Sequence, residues 1–222
     1  MKLLLASAGI KNRSIHEALV ELLGKPVSEA SALCIPTASY GQGLPGPGRA
    51  WNFTAGQEPE CPMVELGWKS MGTLELSVLP SLGEDAWVPL VRETDAILVN
   101  GGDPLFLAYW MRASGFATVL PTLPGVYVSL SAGSMVMTPD IGEEFAEWRS
   151  PTGGDEPLGL VDFSIFPHLE HKDLPWNTMA NAEKWASKLA GPAYAIDDES
   201  AIKVTDGGIE VISEGRWHRL DR

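Results

Sequence analysis

Three short stretches of the chain hold residue types suited to attack on a carbonyl carbon: NGGDP at 100–104, SLSAGS at 129–134 and FPHLEH at 166–171. In the second, Ser131 closes an apolar run and is followed by Ala132 and Gly133, the small residues that a sharp strand-to-helix turn needs to present a nucleophile. A serine hydroxyl attacks poorly until a base removes its proton. His168 is the base candidate because it also follows an apolar run; among the four histidines, His16 falls in an amphipathic helix and His218 near the tail. In an extended backbone residues two apart share a face, so Glu170 is expected to orient His168, and His171 to point elsewhere. Charge building on the carbonyl oxygen needs fixed donors, for which the backbone amides of Gly102 and Ala132 are candidates.

Each stretch has a plainer reading beside this one. Gly101-Gly102 suits any tight turn between a strand and a helix, and a small-x-Ser-x-Gly pattern arises by chance in many chains. His168, Glu170 and His171 could also ligate a metal. A metal site needs three or four converging groups, however, and no zinc-type spacing is present, so no metal and no cofactor are expected.

To converge, these residues must lie at the ends of elements on one side of a sheet. Apolar runs at 2–7, 32–38, 73–79, 96–100 and 126–131 are short and bounded by Gly, Pro or Ser, as strands buried on both faces are. Between them, residues 14–23 place Ile15, Leu19, Leu22 and Leu23 on one helical face after a Ser14 cap, and 104–113 open with Pro104 in a first turn. The alternation predicts an α/β fold, a doubly wound, mostly parallel sheet flanked by helices, with its active crevice at the carboxyl ends of the strands. From Ala193 the runs AYAIDD, AIKVTDGG and IEVISEG, broken by Asp-Gly-Gly and Glu-Gly, predict antiparallel C-terminal strands that extend the same sheet or core. Residues 40–62 and 149–157, rich in Gly and Pro, predict irregular loops.

A single domain spanning 1–222 fits the length. With 29 acidic residues against 16 basic ones and a net charge of −13, neither nucleic acid nor an anionic membrane is an expected partner. The first apolar run is cut short by Lys11 and Arg13, unlike a secretory segment, and no run reaches the length of a spanning helix. Two cysteines, Cys34 and Cys61, make no disulfide framework, so a cytoplasmic setting is expected. The oligomeric state is left open, a homodimer included.

Taken together, NGGDP, SLSAGS and FPHLEH resemble the three signatures of the dipeptidase E family of serine peptidases, whose fold is like that of class I glutamine amidotransferases. The resemblance runs from KLLLAS through AYAIDD and EVISEG. It implies Ser131 as nucleophile, His168 as base, Gly102 and Ala132 as oxyanion donors, no cofactor and a small peptide substrate. An amidotransferase would carry cysteine at position 131. In this family the triad acid lies between nucleophile and histidine; the ungapped counterpart here is Ala146, flanked by Glu143, Glu144 and Glu147. Glu170 instead resembles the His-x-Glu arrangement of the amidotransferases and is the preferred acid, with Glu144 and Glu147 as alternatives. Aspartyl dipeptidases of the family hold the substrate's acidic side chain with an arginine after the histidine. Residues 172–191 contain none, leaving Lys172 and Lys184 as substitutes and Arg49 or Arg149 as cations from other segments. Cleavage of unblocked dipeptides with weak dependence on an amino-terminal aspartate is therefore expected. The alternatives are an amidase or esterase with a non-peptide substrate, and a non-catalytic binding protein that keeps the pocket.

Overall fold

The computed structural model describes residues 1–43, 46–145 and 147–221. Its elements in chain order are β1 (Lys2–Ala6), α1 (Arg13–Leu23), β2 (Ser31–Ile35), α2 (Gly46–Thr54), β3 (Ser70–Thr73), α3 (Glu84–Glu93), β4 (Ala96–Val99), α4 (Pro104–Ala113), α5 (Phe116–Val119) and β5 (Val126–Leu130). There follow α6 (Ala132–Met135), β6 (Ser164–Phe166), α7 (Met179–Ala186), β7 (Ala193–Ile196), β8 (Ser200–Thr205), β9 (Gly208–Ser213) and β10 (Trp217–Leu220). Strands line up as β3-β2-β4-β5-β1-β8-β9, parallel from β3 to β1, with β8 and β9 added antiparallel at one side. A second sheet, β10-β7-β6, pairs β6 and β7 in parallel and β10 antiparallel to β7.

The central strands are apolar throughout because both faces are covered. Along β1, Leu3 and Leu5 enter one core cluster, with Leu107 and Met111 of α4, while Leu4 and Ala6 enter the other, with Ile15, Leu19 and Leu22 of α1. That is the two-residue alternation of a strand between two helical layers. Ile165 of β6 and Tyr194 and Ile196 of β7 join the first cluster, which anchors the small sheet to the large one.

Four local expectations change. Helix α1 is capped by Asn12, whose side chain accepts from the Ile15 amide, and not by Ser14. The run at 73–79 is not a strand: β3 ends at Thr73, and Leu76–Ser81 form a 3-10 turn started by Glu75, whose carboxylate accepts from the Ser77 amide. Within 40–62, the irregular stretch contains α2, which buries Ala50 and Phe53. Finally, AYAI extends the core and not the large sheet. As β7 it lies parallel to β6, and the chain turns into β8 through Asp197, whose carboxylate accepts from the Glu199 amide and the Ser200 hydroxyl. Parallel pairing puts the carboxyl ends of β6 and β7 side by side, each leading into a residue that matters for the site.

Candidate active site

Ser131 lies between β5 and α6 with φ 48° and ψ −115°, a conformation that costs a residue with a side chain on the order of 1–3 kcal/mol. It is held there from both directions. Its amide donates to the Ala6 and Ser7 carbonyls at 3.1 and 3.0 Å, and its carbonyl accepts from the Ser134 and Met135 amides at 2.8 and 2.9 Å. The neighbouring hydroxyls are used in structure: Ser134 donates to the Ala6 carbonyl at 2.7 Å and lies 2.9 Å from Ser129 Oγ. Gly133 lets α6 settle on the end of β4, since a Cβ there would stand 2.7 Å from the Val99 carbonyl oxygen. Among the described residues the Ser131 hydroxyl has no such partner. Unliganded sites often leave this catalytic hydrogen bond unmade until substrate binds.

His168 follows β6, and the Leu169 amide beside it donates to the Ile196 carbonyl at the end of β7. Two residues on from that carbonyl, Asp198 Oδ1 stands 2.6 Å from His168 Nδ1. Ser7, fully buried at the end of β1, closes the arrangement. Its hydroxyl accepts from the His168 amide at 2.7 Å and donates to Asp198 Oδ1 at 3.1 Å. One strand end thus holds the amide of Ser131, the backbone of His168 and the carboxylate of Asp198. Burial pushes the Asp198 carboxyl up; the hydrogen bond and charge of His168, the Ser7 hydroxyl and the charge of His171 reverse this and hold it below its ordinary range. An ionised Asp198 keeps the imidazole proton on Nδ1 and leaves Nε2 as the basic nitrogen.

At the end of β4, Gly102 has φ 144°, and a Cβ on it would collide with the Ala38 carbonyl. Only glycine fits this turn. Asn100 fixes it by accepting from the Gly101 amide at 2.8 Å and donating to Ser39 Oγ at 3.0 Å, while Ser39 donates to the Gly101 carbonyl. Asp103 then caps α4 by accepting from the Leu105 and Phe106 amides. Among the described residues, neither the Gly102 nor the Ala132 amide has an acceptor. Gly102, Ser131 and His168 line one cavity of about 370 Å³, together with Arg49, Glu147 and Trp176.

The family model for peptidase family S51 matches residues 3–212. The chain belongs to peptidase family S51, the dipeptidase E family. Among curated proteins, none matches it significantly. Two solved structures share the fold of this S51 chain. A candidate peptidase E protein from Listeria monocytogenes EGD-e superposes with a TM-score of 0.64 at 19% identity, covering 96% of this chain and 98% of its own. A peptidase from an acI-B1 Actinobacterium gives 0.66 at 21%, covering 99% and 90%. Family membership makes the chain a serine peptidase, and the α/β sheet with its antiparallel additions is the fold expected from its sequence.

In this S51 chain the carboxylate beside His168 is not the one expected from the sequence. Neither His168 nor Glu170 is in extended backbone; both have φ 56°, so the shared strand face does not exist. Glu170 is exposed, and its Oε1 accepts from the Met179 amide at 2.8 Å, bracing the start of α7. Glu144 and Glu147 do reach the cavity lined by Ser131 and His168, but the His168 Nδ1 that a triad acid would hold is taken by Asp198. Glu144 is paired with Lys188, and Ala146 lies outside the described residues. Asp198 and Ser7 were missed. Their signal was available: AYAIDD ends a buried run on two carboxylates, and KLLLAS ends another on a hydroxyl.

The cations also sort themselves. Arg49, on α2, enters the cavity beside Gly101 and lies 3.7 Å from Glu58, whose carboxyl burial raises against the opposing pull of Arg49. Arg149 lines a neighbouring cavity and pairs with Asp155 at 3.8 Å. Lys172 is largely exposed on a different cavity, and Lys184 is carried by α7, near Glu144. Burial pushes the Cys61 thiol up to about 11 and raises Cys34 as well, so neither is a thiolate nucleophile at neutral pH. Among the described residues no helix is long and apolar enough to cross a membrane.

Proposed function

We propose that this S51 peptidase hydrolyses dipeptides with a free amino terminus through an acyl-enzyme on Ser131. The observation that carries the reading is the strained Ser131 turn sharing a cavity with His168, whose other ring nitrogen is held by Asp198. In this reading His168 Nε2 takes the Ser131 proton as Oγ attacks the peptide carbonyl, and the oxyanion is received by the amides of Gly102 and Ala132. The C–N bond then breaks, the imidazolium gives its proton to the leaving amine, and water repeats the sequence to release the acid.

Substrate choice follows from what faces the nucleophile. Glu147 borders the cavity with no ion pair among the described residues and suits the substrate's ammonium group. Arg49 supplies the fork that a side-chain carboxylate would meet. Because Glu58 already compensates part of its charge, the preference for an amino-terminal aspartate is expected to be graded, about tenfold over asparagine, and not absolute. The test compares kcat/KM for Asp-Leu, Asn-Leu, Ala-Leu and acetyl-Asp-Leu in the parent and in Arg49→Gln, with fluorophosphonate labelling of Ser131 alongside. Labelling that is lost in Ser131→Ala, turnover of free but not acetylated dipeptides, and an Asp preference that vanishes in Arg49→Gln are expected. An unlabelled Ser131, or full turnover by Ser131→Ala, would end the proposal.

A further inference from the structure

The carboxylate behind His168 has a second oxygen, and its surroundings are also specified. Both His168 and Ser7 act on Asp198 Oδ1. Oδ2 faces His171 Nε2 at 3.5 Å and has no other partner among the described residues. The opposite side of the His171 ring selects its tautomer: the Asp173 amide donates to Nδ1 at 3.2 Å, so in the neutral ring the hydrogen belongs on Nε2, toward Asp198. A tight turn holds the ring in place. The His171 amide donates to the His168 carbonyl at 3.2 Å, the Leu174 amide to the His171 carbonyl at 3.1 Å, and the two imidazoles meet edge to face with centroids 6.1 Å apart. His171 borders a different cavity from the one that Ser131 and His168 line, with Lys11, Glu60 and Arg216 among its neighbours.

We propose that His171 is a positioning residue that acts through Asp198; the proposal rests on reading Ser131, His168 and Asp198 as the catalytic triad. The torsion that turns a carboxylate about its last bond has a broad, shallow profile. A carboxylate held only at Oδ1 can swing Oδ2 and pull its lone pair out of the plane of the His168 Nδ1–H. An N–H facing Oδ2 opposes that swing. At 3.5 Å the contact is longer than a good hydrogen bond, so its effect is electrostatic alignment and needs no proton beyond the one the neutral ring carries.

The test sets His171→Leu, which keeps bulk and removes the donor, against His171→Gln, which returns an N–H near the Nε2 position, with Asp198→Asn in the same series. All assays are run at one pH, about 8, so that the variants are compared under the same conditions. His171→Leu is expected to lower kcat about tenfold while KM stays within about twofold, and His171→Gln to recover most of the loss, with near-ultraviolet circular dichroism unchanged in both. A purely structural role would impair the two variants alike. Parental kcat in His171→Leu, or a His171→Gln variant as slow as His171→Leu, overturns the proposal. Asp198→Asn separates the failures: if it is inactive while His171→Leu is unaffected, only the role of His171 falls. If Asp198→Asn turns over like the parent, the triad reading fails and takes the proposal with it.

Discussion

A carboxylate assists an imidazole only if it reaches the nitrogen that the substrate does not use, and two acids near His168 in sequence or space compete for that description. Asp198 meets it at 2.6 Å; Glu170, two residues along the chain in a turn with φ 56°, spends its oxygen on the Met179 amide. Exchanging each for its amide therefore has opposite consequences. Asp198→Asn is expected to reduce kcat by about 10²–10⁴-fold, because the amide no longer enforces the productive tautomer. Glu170→Gln should leave kcat nearly unchanged and cost about 1 kcal/mol of stability through the weakened contact at the start of α7. Steady-state rates on a free dipeptide, with urea unfolding midpoints, measure both. A Glu170→Gln variant that folds but does not turn over would return Glu170 to the triad.

At the scale of elements, three strand ends do the positioning. The end of β5 leads into Ser131, the end of β4 into the Gly102 turn, and the end of β1 into the Ser7 hydroxyl that touches both His168 and Asp198. The β4 turn is the least tolerant of change, since Gly102 combines φ 144° with an Ala38 carbonyl where a Cβ would go. Gly102→Ala is expected to lose about 1–3 kcal/mol from overpacking and, by displacing its amide, about 10²–10³-fold in kcat. Gly153→Ala is the control: its φ of 77° is also positive, but open space surrounds it. That variant should lose some stability and no activity. Denaturant titration and kcat on the two proteins decide the matter, and equal activity in both would mean the β4 turn carries no oxyanion donor.

For the whole molecule, acidification acts on many carboxylates at once, because the net charge is −13. Comparing the parent with Asp198→Asn isolates one of them. A carboxyl held below its ordinary range in the folded chain contributes stability that is complete above its unfolded value of about 3.9 and disappears as pH falls through its lower folded value. The stability gap between parent and Asp198→Asn is thus expected to be constant near neutral pH and to close below about pH 4. Unfolding midpoints from neutral to acid pH test this. A gap that widened on acidification would mean that burial, and not the contacts of His168 and Ser7, governs this carboxylate.

Local sequence was enough for whatever depends on local physics. Runs such as LLLA in β1 and AILV in β4 must be buried on both faces, which gives a parallel sheet between helices; Ser131 with Ala132 and Gly133 marks a turn only small residues can make, and Gly101-Gly102 marks another. The carboxylate that meets His168 was beyond its reach. Choosing Glu170 assumed that β6 continues past Pro167, whereas the strand stops at Phe166 and the chain turns through left-handed residues. Asp198 reaches His168 only because β6 and β7 pair in parallel in a separate small sheet, a pairing between segments about thirty residues apart that leaves no periodic trace in either run. Burial writes itself into a strand's own composition, so the sequence determined the sheet and the small-residue turn at Ser131. Which carboxylate meets His168 is a contact between two strand ends, and only the tertiary structure decides which ends are neighbours.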